Sequence, residues 1–154
     1  LIRHAATHLP EADFVFVGPY GSSSEIAQLE SFKNVTFLGA RAYDEVPAYV
    51  STFDVCWVPF RVGGIAAAAN PIKIYEYLAL GRPVVSTPVA DTDGFEGLVR
   101  VGRTAGEVTD LLREALAATP ADTDRRVAFA RRNSWDDRAA EIVEFLDALK
   151  RRAG

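Results

Sequence analysis

A lysine and a glutamate stand three residues apart near the start of a predicted helix, within the run NPIKIYEYLALGRPVV. At about 100° per residue, the side chains of Lys73 and Glu76 lie within roughly 60° of each other on a helix. A lysine balances phosphate charge, and a carboxylate accepts two hydrogen bonds from a ribose diol. This spacing is compatible with a nucleoside diphosphate site, but by itself it favours a surface ion pair between neighbouring turns, because such pairs are common.

The neighbouring residues predict that this helix begins at the rim of a sheet. Asn70-Pro71 is a preferred start, with Asn as N-cap and Pro in the first turn, and Gly81 ends the helix. The apolar run 53–60 precedes it as a strand, and Gly63 and Gly64 in the intervening loop let the backbone approach a ligand closely. Ligands bind outside the carboxyl ends of parallel strands, where the free N–H groups of a helix start suit a diphosphate.

Strands and helices alternate along the chain. Short apolar runs predict strands, and capping residues at Ser22, Asp44 and Thr104 predict the starts of three of the helices between them. Buried strands that alternate with helices are typical of parallel sheets covered on both faces. The fold class is therefore α/β, a Rossmann-like doubly wound sheet in three α/β/α layers. The predicted strands are 14–18, 35–39, 53–60, 84–86 and 98–101.

Composition narrows the classes of function. The 154 residues suit one domain, and a net charge of −4 provides no basic surplus for non-specific nucleic-acid binding. Cys56 is the single cysteine, so an internal disulfide is excluded and a cytoplasmic protein is predicted. The arginines of a late helix predict a solvated face, with weak association to the inner face of a membrane as the alternative; they are Arg125, Arg126, Arg131 and Arg132.

The run from Asn70 to Val85 resembles the signature of bacterial GT-B glycosyltransferases of the group 1 superfamily. The segments 14–19, 34–39 and 54–60, and Ser134-Trp135, resemble further parts of the same domain in the same order. The resemblance implies that residues 1–154 are the C-terminal domain of such an enzyme. This domain binds a nucleoside-diphosphate sugar, such as a UDP-sugar, for glycan biosynthesis. It implies no cofactor, and a separate N-terminal domain that binds the acceptor.

The resemblance also assigns roles to residues. Glu76 corresponds to the glutamate that holds the donor ribose, Lys73 contacts the diphosphate, and these two are the predicted catalytic residues. Backbone amides near Ile72 face the phosphates, and the loop after the second strand follows the nucleobase. The full predicted donor site comprises Gly39, Ala40, Arg41, Ala42, Arg61, Gly63, Gly64, Asn70, Pro71, Ile72, Lys73 and Glu76.

The chain departs from the family pattern at two places. Many relatives have a glutamate that touches the donor sugar eight residues before the helix glutamate, where this chain has Ala68, so Asn70 or Arg61 is expected to replace it. The first strand of the domain, which is central in the usual order, is also missing, and a gap in the sheet is expected. A nucleotide-sugar epimerase of the same fold and a non-catalytic assembly module remain the alternative functions.

Metal chemistry is not predicted. Asp91, Asp93 and Glu96 follow the fourth strand and could converge on a cation, but turn and capping roles explain these residues equally well. His4 and His8 lie one helical turn apart without a nearby carboxylate in sequence, so we interpret them as surface residues. We expect no metal site.

Overall fold

The part of the chain that the computed structural model describes, residues 1–64, 68–90, 92–118 and 121–153, contains seven α-helices and five strands, which alternate from α1 to β4. A 3₁₀ turn, Thr92–Phe95, lies between the last two strands. The order of the elements agrees with the sequence prediction throughout. They are α1 (Ile2–His8), β1 (Phe14–Val17), α2 (Ser24–Glu30), β2 (Val35–Gly39), α3 (Val46–Val50), β3 (Cys56–Val58), α4 (Ile72–Ala79), β4 (Val84–Ser86), β5 (Val99–Val101), α5 (Ala105–Ala117), α6 (Thr123–Arg131) and α7 (Trp135–Ala153).

The strands form two parallel sheets. β1 pairs with β2, and β4 lies between β3 and β5. The predicted α/β class with parallel strands is confirmed. The described strands are interrupted between β1 and β3, in keeping with the expected gap in the sheet.

Helices cover both faces of the three-stranded sheet. Alternate residues of a strand point to opposite faces. Val84 accordingly packs in a cluster with Ile74 of α4 and Phe129 of α6. Its neighbour Val85 packs in a second cluster with residues of α1 and α5. The predicted three-layer arrangement is therefore present.

The α1–α5 layer connects the two sheets. Its cluster contains Phe14 of β1 and Val35 of β2 as well as Val85 of β4. Across the interruption, the rings of Phe14 and Trp57 meet edge to face with their centroids 6.0 Å apart. Because no β-ladder joins β1 to β3 in the described structure, apolar packing on this side carries the connection.

Two of the three predicted capping residues differ from the structure by one position. Ser23, not Ser22, caps α2, because its side chain accepts a hydrogen bond from the Ile26 backbone N–H at 3.2 Å. Glu45, not Asp44, precedes α3. Thr104 caps α5 as predicted, accepting from the Glu107 N–H at 3.2 Å. The two errors are one-residue shifts, since neighbouring polar residues satisfy the same capping pattern.

The start of α4 also differs by one residue. Pro71, not Asn70, is the N-cap, with extended backbone at ψ 119°. The Asn70 side-chain amide instead donates to the Tyr75 hydroxyl at 3.3 Å. Upstream, β3 is three residues long rather than the eight predicted, because only Cys56–Val58 pair with β4. Pro59 follows directly and has no N–H to donate to a ladder.

Gly81, which ends α4, provides a test of this packing. Its φ is +69°, and a β-carbon there would lie 2.7 Å from the Thr123 side chain of α6. Gly81→Ala should combine the cost of left-handed backbone, about 1–2 kcal/mol, with overpacking of about 1–3 kcal/mol. Gly97→Ala is the matched control, because Gly97 has φ +73° and no atom of the described residues within 4 Å of a β-carbon. Urea unfolding should show the larger loss for Gly81→Ala; equal losses would contradict the predicted clash with Thr123.

Candidate functional site

A cleft of about 780 Å³ opens between the two sheets. We call it the inter-sheet cleft. Strands β1 and β3, the unpaired edges of their sheets, form two of its walls. Helices α3 and α4 contribute Val46, Val50, Lys73, Glu76 and Tyr77 to its lining. The interruption of the sheet therefore creates a space that the predicted phosphate and ribose residues border.

The rotation of α4 places Lys73 and Glu76 at this cleft. Ile74 and Leu78 are completely buried on the opposite side of the helix. Burial of such a side chain stabilises the fold by about 1.5–3 kcal/mol, while an exposed ion pair contributes at most about 1 kcal/mol. The apolar residues, rather than the charges, therefore determine which way α4 faces.

The structure weighs against the simple ion-pair interpretation of Lys73 and Glu76. Among the described residues, the ion pairs within 4.0 Å do not include these two. Glu76 instead accepts a hydrogen bond on Oε1 from the Tyr43 hydroxyl at 2.8 Å. The lysine and the glutamate thus border the same cleft without neutralising each other at contact distance.

Tyr43 is a site residue that sequence reasoning missed. It lies between β2 and α3, 33 residues before Glu76, and 79% of it is exposed. The hydrogen bond to Glu76, and then the negative charge of that carboxylate, raise the pKa of the Tyr43 hydroxyl. Tyr43 follows the predicted segment 39–42 directly, but no sequence spacing rule pairs it with a residue of α4.

The loop that follows β2 is held by α3. Gly39 has φ +75°, a conformation that glycine adopts without strain. The Ala42 N–H donates to Glu45 Oε2 at 2.9 Å, and Arg41 Nε donates to the Tyr49 hydroxyl at 3.0 Å. The predicted nucleobase loop, Gly39 to Ala42, is therefore tied to α3 and reaches α4 through its neighbour Tyr43.

The first part of the loop between β3 and α4 contains three of the predicted donor-site residues, Arg61, Gly63 and Gly64. The Arg61 guanidinium pairs with Glu25 of α2 at 3.5 Å, and its side chain is 91% exposed. Gly63 and Gly64 have φ of +88° and +59°, which explains the glycines in this loop. Of the twelve predicted donor-site residues, Lys73 and Glu76 belong to the lining of the inter-sheet cleft, whereas these three, Gly39 to Ala42 and Asn70 to Ile72 do not.

The start of α4 presents the remaining predicted residues. Pro71 has no N–H, so the Ile72 and Lys73 amides are the first donors that the helix offers. The first amides of a helix lack partners within the helix, and the positive end of its dipole lies there. Asn70 is exposed beside them. The helix start is therefore chemically suited to an anion.

Asp93 and Glu96, the described acidic residues between β4 and β5, belong to no cluster of metal ligands among the described residues. Asp91 lies outside the described residues, and Glu96 pairs with Arg132 at 3.4 Å. The residues that the structure describes contain no group of three or more His, Cys, Asp or Glu that could hold a metal. His4 and His8 stack with their ring centroids 4.1 Å apart, and His4 hydrogen-bonds to Thr109 at 3.0 Å.

Two of the four arginines predicted to form a solvated helix face, Arg125 and Arg126, make contacts within the fold. Arg126 donates to the Gly81 carbonyl at 3.1 Å, and Arg125 pairs with Asp122 at 3.0 Å. Within the described residues, none of the helices combines the length and the apolar character needed to span a membrane.

Comparison with known proteins identifies relatives over most of the chain. Residues 1–121 match the model of the family described as glycosyl transferases, group 1. A teichuronic acid biosynthesis glycosyltransferase by name, from Bacillus subtilis (strain 168), is 32% identical over 94 residues, which are 60% of this chain and 24% of that protein. A GDP-mannose-dependent alpha-(1-6)-phosphatidylinositol monomannoside mannosyltransferase from Mycobacterium tuberculosis is 32% identical over 128 residues, 73% of this chain and 32% of that protein. The chain thus spans about a quarter to a third of the length of these relatives.

Among solved structures, the C-terminal CMP-Kdo binding domain of WaaA from Acinetobacter baumannii is similar to this chain. The TM-score is 0.47 at 17% sequence identity, and the match covers 85% of this chain and 96% of that chain.

Two titratable groups at the inter-sheet cleft predict a loss of stability in alkali. Burial raises the pKa of the Cys56 thiol and of the Tyr77 hydroxyl to about 12 each. In the unfolded chain these groups lose their protons near pH 9 and 10, their ordinary values. The stabilising difference is therefore complete below pH 9 and is lost as the pH rises towards 12, at up to about 1.4 kcal/mol per pH unit for each group.

Urea unfolding at pH 8 and pH 10.5 tests this dependence, with Tyr77→Phe as the comparison. Tyr77→Phe keeps the ring and removes one titrating group, so its stability should fall less between the two pH values than that of the wild type. The same decrease in both proteins would contradict a buried, neutral Tyr77 hydroxyl.

Proposed function

Because the chain belongs to the group 1 glycosyl transferase family, we propose that it is the donor-binding domain of a glycosyltransferase. In this proposal, the protein binds a nucleoside-diphosphate sugar beside α4 and transfers the glycosyl group to an acceptor. The acceptor is bound largely by an N-terminal domain of the same enzyme.

One observation carries this proposal. Lys73 and Glu76 lie on the exposed side of α4 and border one cleft, and Glu76 is within hydrogen-bonding distance of the segment that follows β2. A nucleoside diphosphate has three recognisable parts, a charged diphosphate, a ribose diol and a flat base. A cation, a carboxylate and a backbone loop are the groups that recognise these parts.

The chemistry assigned to Lys73 concerns the leaving group. When the acceptor hydroxyl oxygen bonds to the anomeric carbon, it releases its proton to solvent, the bond from that carbon to the diphosphate oxygen breaks, and the diphosphate departs with additional negative charge. The Lys73 ammonium and the free amides of Ile72 and Lys73 at the helix start would stabilise this charge. Their contribution would be larger in the transition state than in the bound donor, since the charge develops as the bond breaks.

Glu76 and the loop after β2 would bind the nucleoside. The Glu76 carboxylate accepts hydrogen bonds from the ribose hydroxyls, and the backbone from Gly39 to Ala42 contacts the base. Ala68 provides no polar group for the donor sugar, and Arg61 is engaged with Glu25 on α2. Asn70, exposed immediately before α4, is therefore our preferred residue for the sugar contact.

The identity of the base is open to a direct test. One relative is named as GDP-mannose-dependent, which makes guanosine diphosphate a probe alongside uridine diphosphate.

We propose a cytoplasmic protein, in keeping with its lone cysteine, and weak contact with the inner face of a membrane through exposed arginines of α6.

Replacement of Glu76 tests the ribose contact. Glu76→Ala in the intact protein should weaken binding of uridine or guanosine diphosphate at least about tenfold, because two hydrogen bonds to a carboxylate are lost. Isothermal titration calorimetry measures this affinity, and Glu144→Ala on the exposed side of α7 is the matched control. Unchanged nucleotide affinity in a folded Glu76→Ala protein would refute the ribose role.

Replacement of Lys73 tests the phosphate contact. Lys73→Ala should weaken binding of the nucleoside diphosphate roughly three- to thirtyfold and leave binding of the free nucleoside nearly unchanged, since the nucleoside has no phosphate charge. The difference should shrink as salt concentration rises. Lys33→Ala, which removes another exposed lysine, is the control. Equal losses for nucleoside and nucleoside diphosphate would argue against a phosphate contact.

A further inference from the structure

The carboxylate assigned to the donor ribose is already engaged in the free protein. Tyr43 donates its hydroxyl to Glu76 Oε1 at 2.8 Å. Among the described residues, this is the hydrogen bond that the Glu76 side chain makes, so Oε2 is left to solvent. One of the two oxygens that a ribose diol needs therefore has an internal partner.

The Tyr43 hydroxyl and a ribose hydroxyl would compete for the same oxygen of Glu76, Oε1. A vicinal diol donates two hydrogen bonds and matches a carboxylate when each hydroxyl reaches a different oxygen. We propose that Tyr43 is a displaceable latch on Glu76, and that a bound nucleotide replaces the Tyr43 hydroxyl at Oε1. This inference rests on the proposed function of Glu76 as the ribose-binding residue.

Tyr43 can leave Glu76 without a rearrangement of the fold. With 79% of the residue exposed, little packing holds its ring in place. Its backbone is held separately, because the Val46 N–H donates to the Tyr43 carbonyl at 3.3 Å in the turn that leads into α3. A rotation of the side chain is therefore enough to release the carboxylate, and water can hydrogen-bond to the freed hydroxyl.

The latch would adjust donor affinity and discriminate between ligands. A ligand with a ribose diol must displace the Tyr43 hydroxyl to reach both oxygens, whereas a ligand that lacks one hydroxyl can donate to the free Oε2 with the latch in place. Tyr43 would therefore weaken binding of an intact diol more than binding of a 2′-deoxy ligand, and so reduce the preference for the diol. The raised pKa of the Tyr43 hydroxyl is consistent with its contact to the carboxylate and provides a spectroscopic signal for its release.

Tyr43→Phe in the intact protein is the decisive variant, because it keeps the ring and removes only the hydroxyl. Calorimetry with uridine and guanosine diphosphate should show about two- to tenfold tighter binding than in the wild type, which corresponds to one net hydrogen bond. Binding of the 2′-deoxynucleotides should tighten less, so that the preference for the intact diol is larger in Tyr43→Phe than in the wild type. Tyr20→Phe is the matched control, since Tyr20 is also exposed, at 46%, and should leave affinity unchanged.

Ultraviolet titration of the tyrosinate, as the difference between wild type and Tyr43→Phe, follows the latch directly. Saturating nucleotide should lower the pKa of Tyr43 towards its ordinary value of 10.0. Weaker binding by Tyr43→Phe, unchanged binding, or a Tyr43 pKa that stays raised in the complex would each overturn the latch while leaving the ribose role of Glu76 intact. Absence of nucleotide binding by both the wild type and Tyr43→Phe would overturn the proposed function, and the latch with it.

Discussion

The burial of Ile74 and Leu78 is the constraint on which the candidate site depends. Both side chains are inaccessible to solvent, within the cluster that includes Phe129 of α6 and Val84 of β4. With one side of α4 fixed in this way, the helical repeat leaves Lys73 and Glu76 on the opposite side. Packing of the core therefore determines the side of α4 on which Lys73 and Glu76 lie. The free energy gained by burying Ile74 and Leu78 is well above that of any contact that the two charged residues make.

The second structural feature on which the candidate site depends is the interruption between the two sheets. Two parallel sheets end at β1 and β3, and packing of α1 and α5 joins them on one side. The inter-sheet cleft runs along these strand edges, from Leu112 and Leu116 of α5 to Lys73 and Glu76 of α4. The cleft is therefore lined largely by apolar side chains, and Lys73 and Glu76 give it a charged border on the α4 side.

Site prediction from sequence was uneven for identifiable reasons. Lys73 and Glu76 are three residues apart on one helix, so helical geometry alone places them side by side. Tyr43 reaches Glu76 across 33 residues, and Arg61 reaches Glu25 across 36. Contacts of this kind depend on how separate elements pack, which local patterns do not encode. The capping errors at Ser22, Asp44 and Asn70 are smaller, because adjacent polar residues or prolines compete for one position and tertiary packing selects between them.

The sequence by itself determined the order and type of the elements, the parallel α/β class, the apolar side of α4 and the adjacency of Lys73 and Glu76. Each of these follows from the spacing of side chains along a regular backbone, which is a local property. Only the tertiary structure decided that the gap lies between β1 and β3, that Arg61 faces α2 and that Tyr43 meets Glu76. These features depend on the positions of elements relative to one another, and those positions result from the packing of apolar faces that no single segment contains.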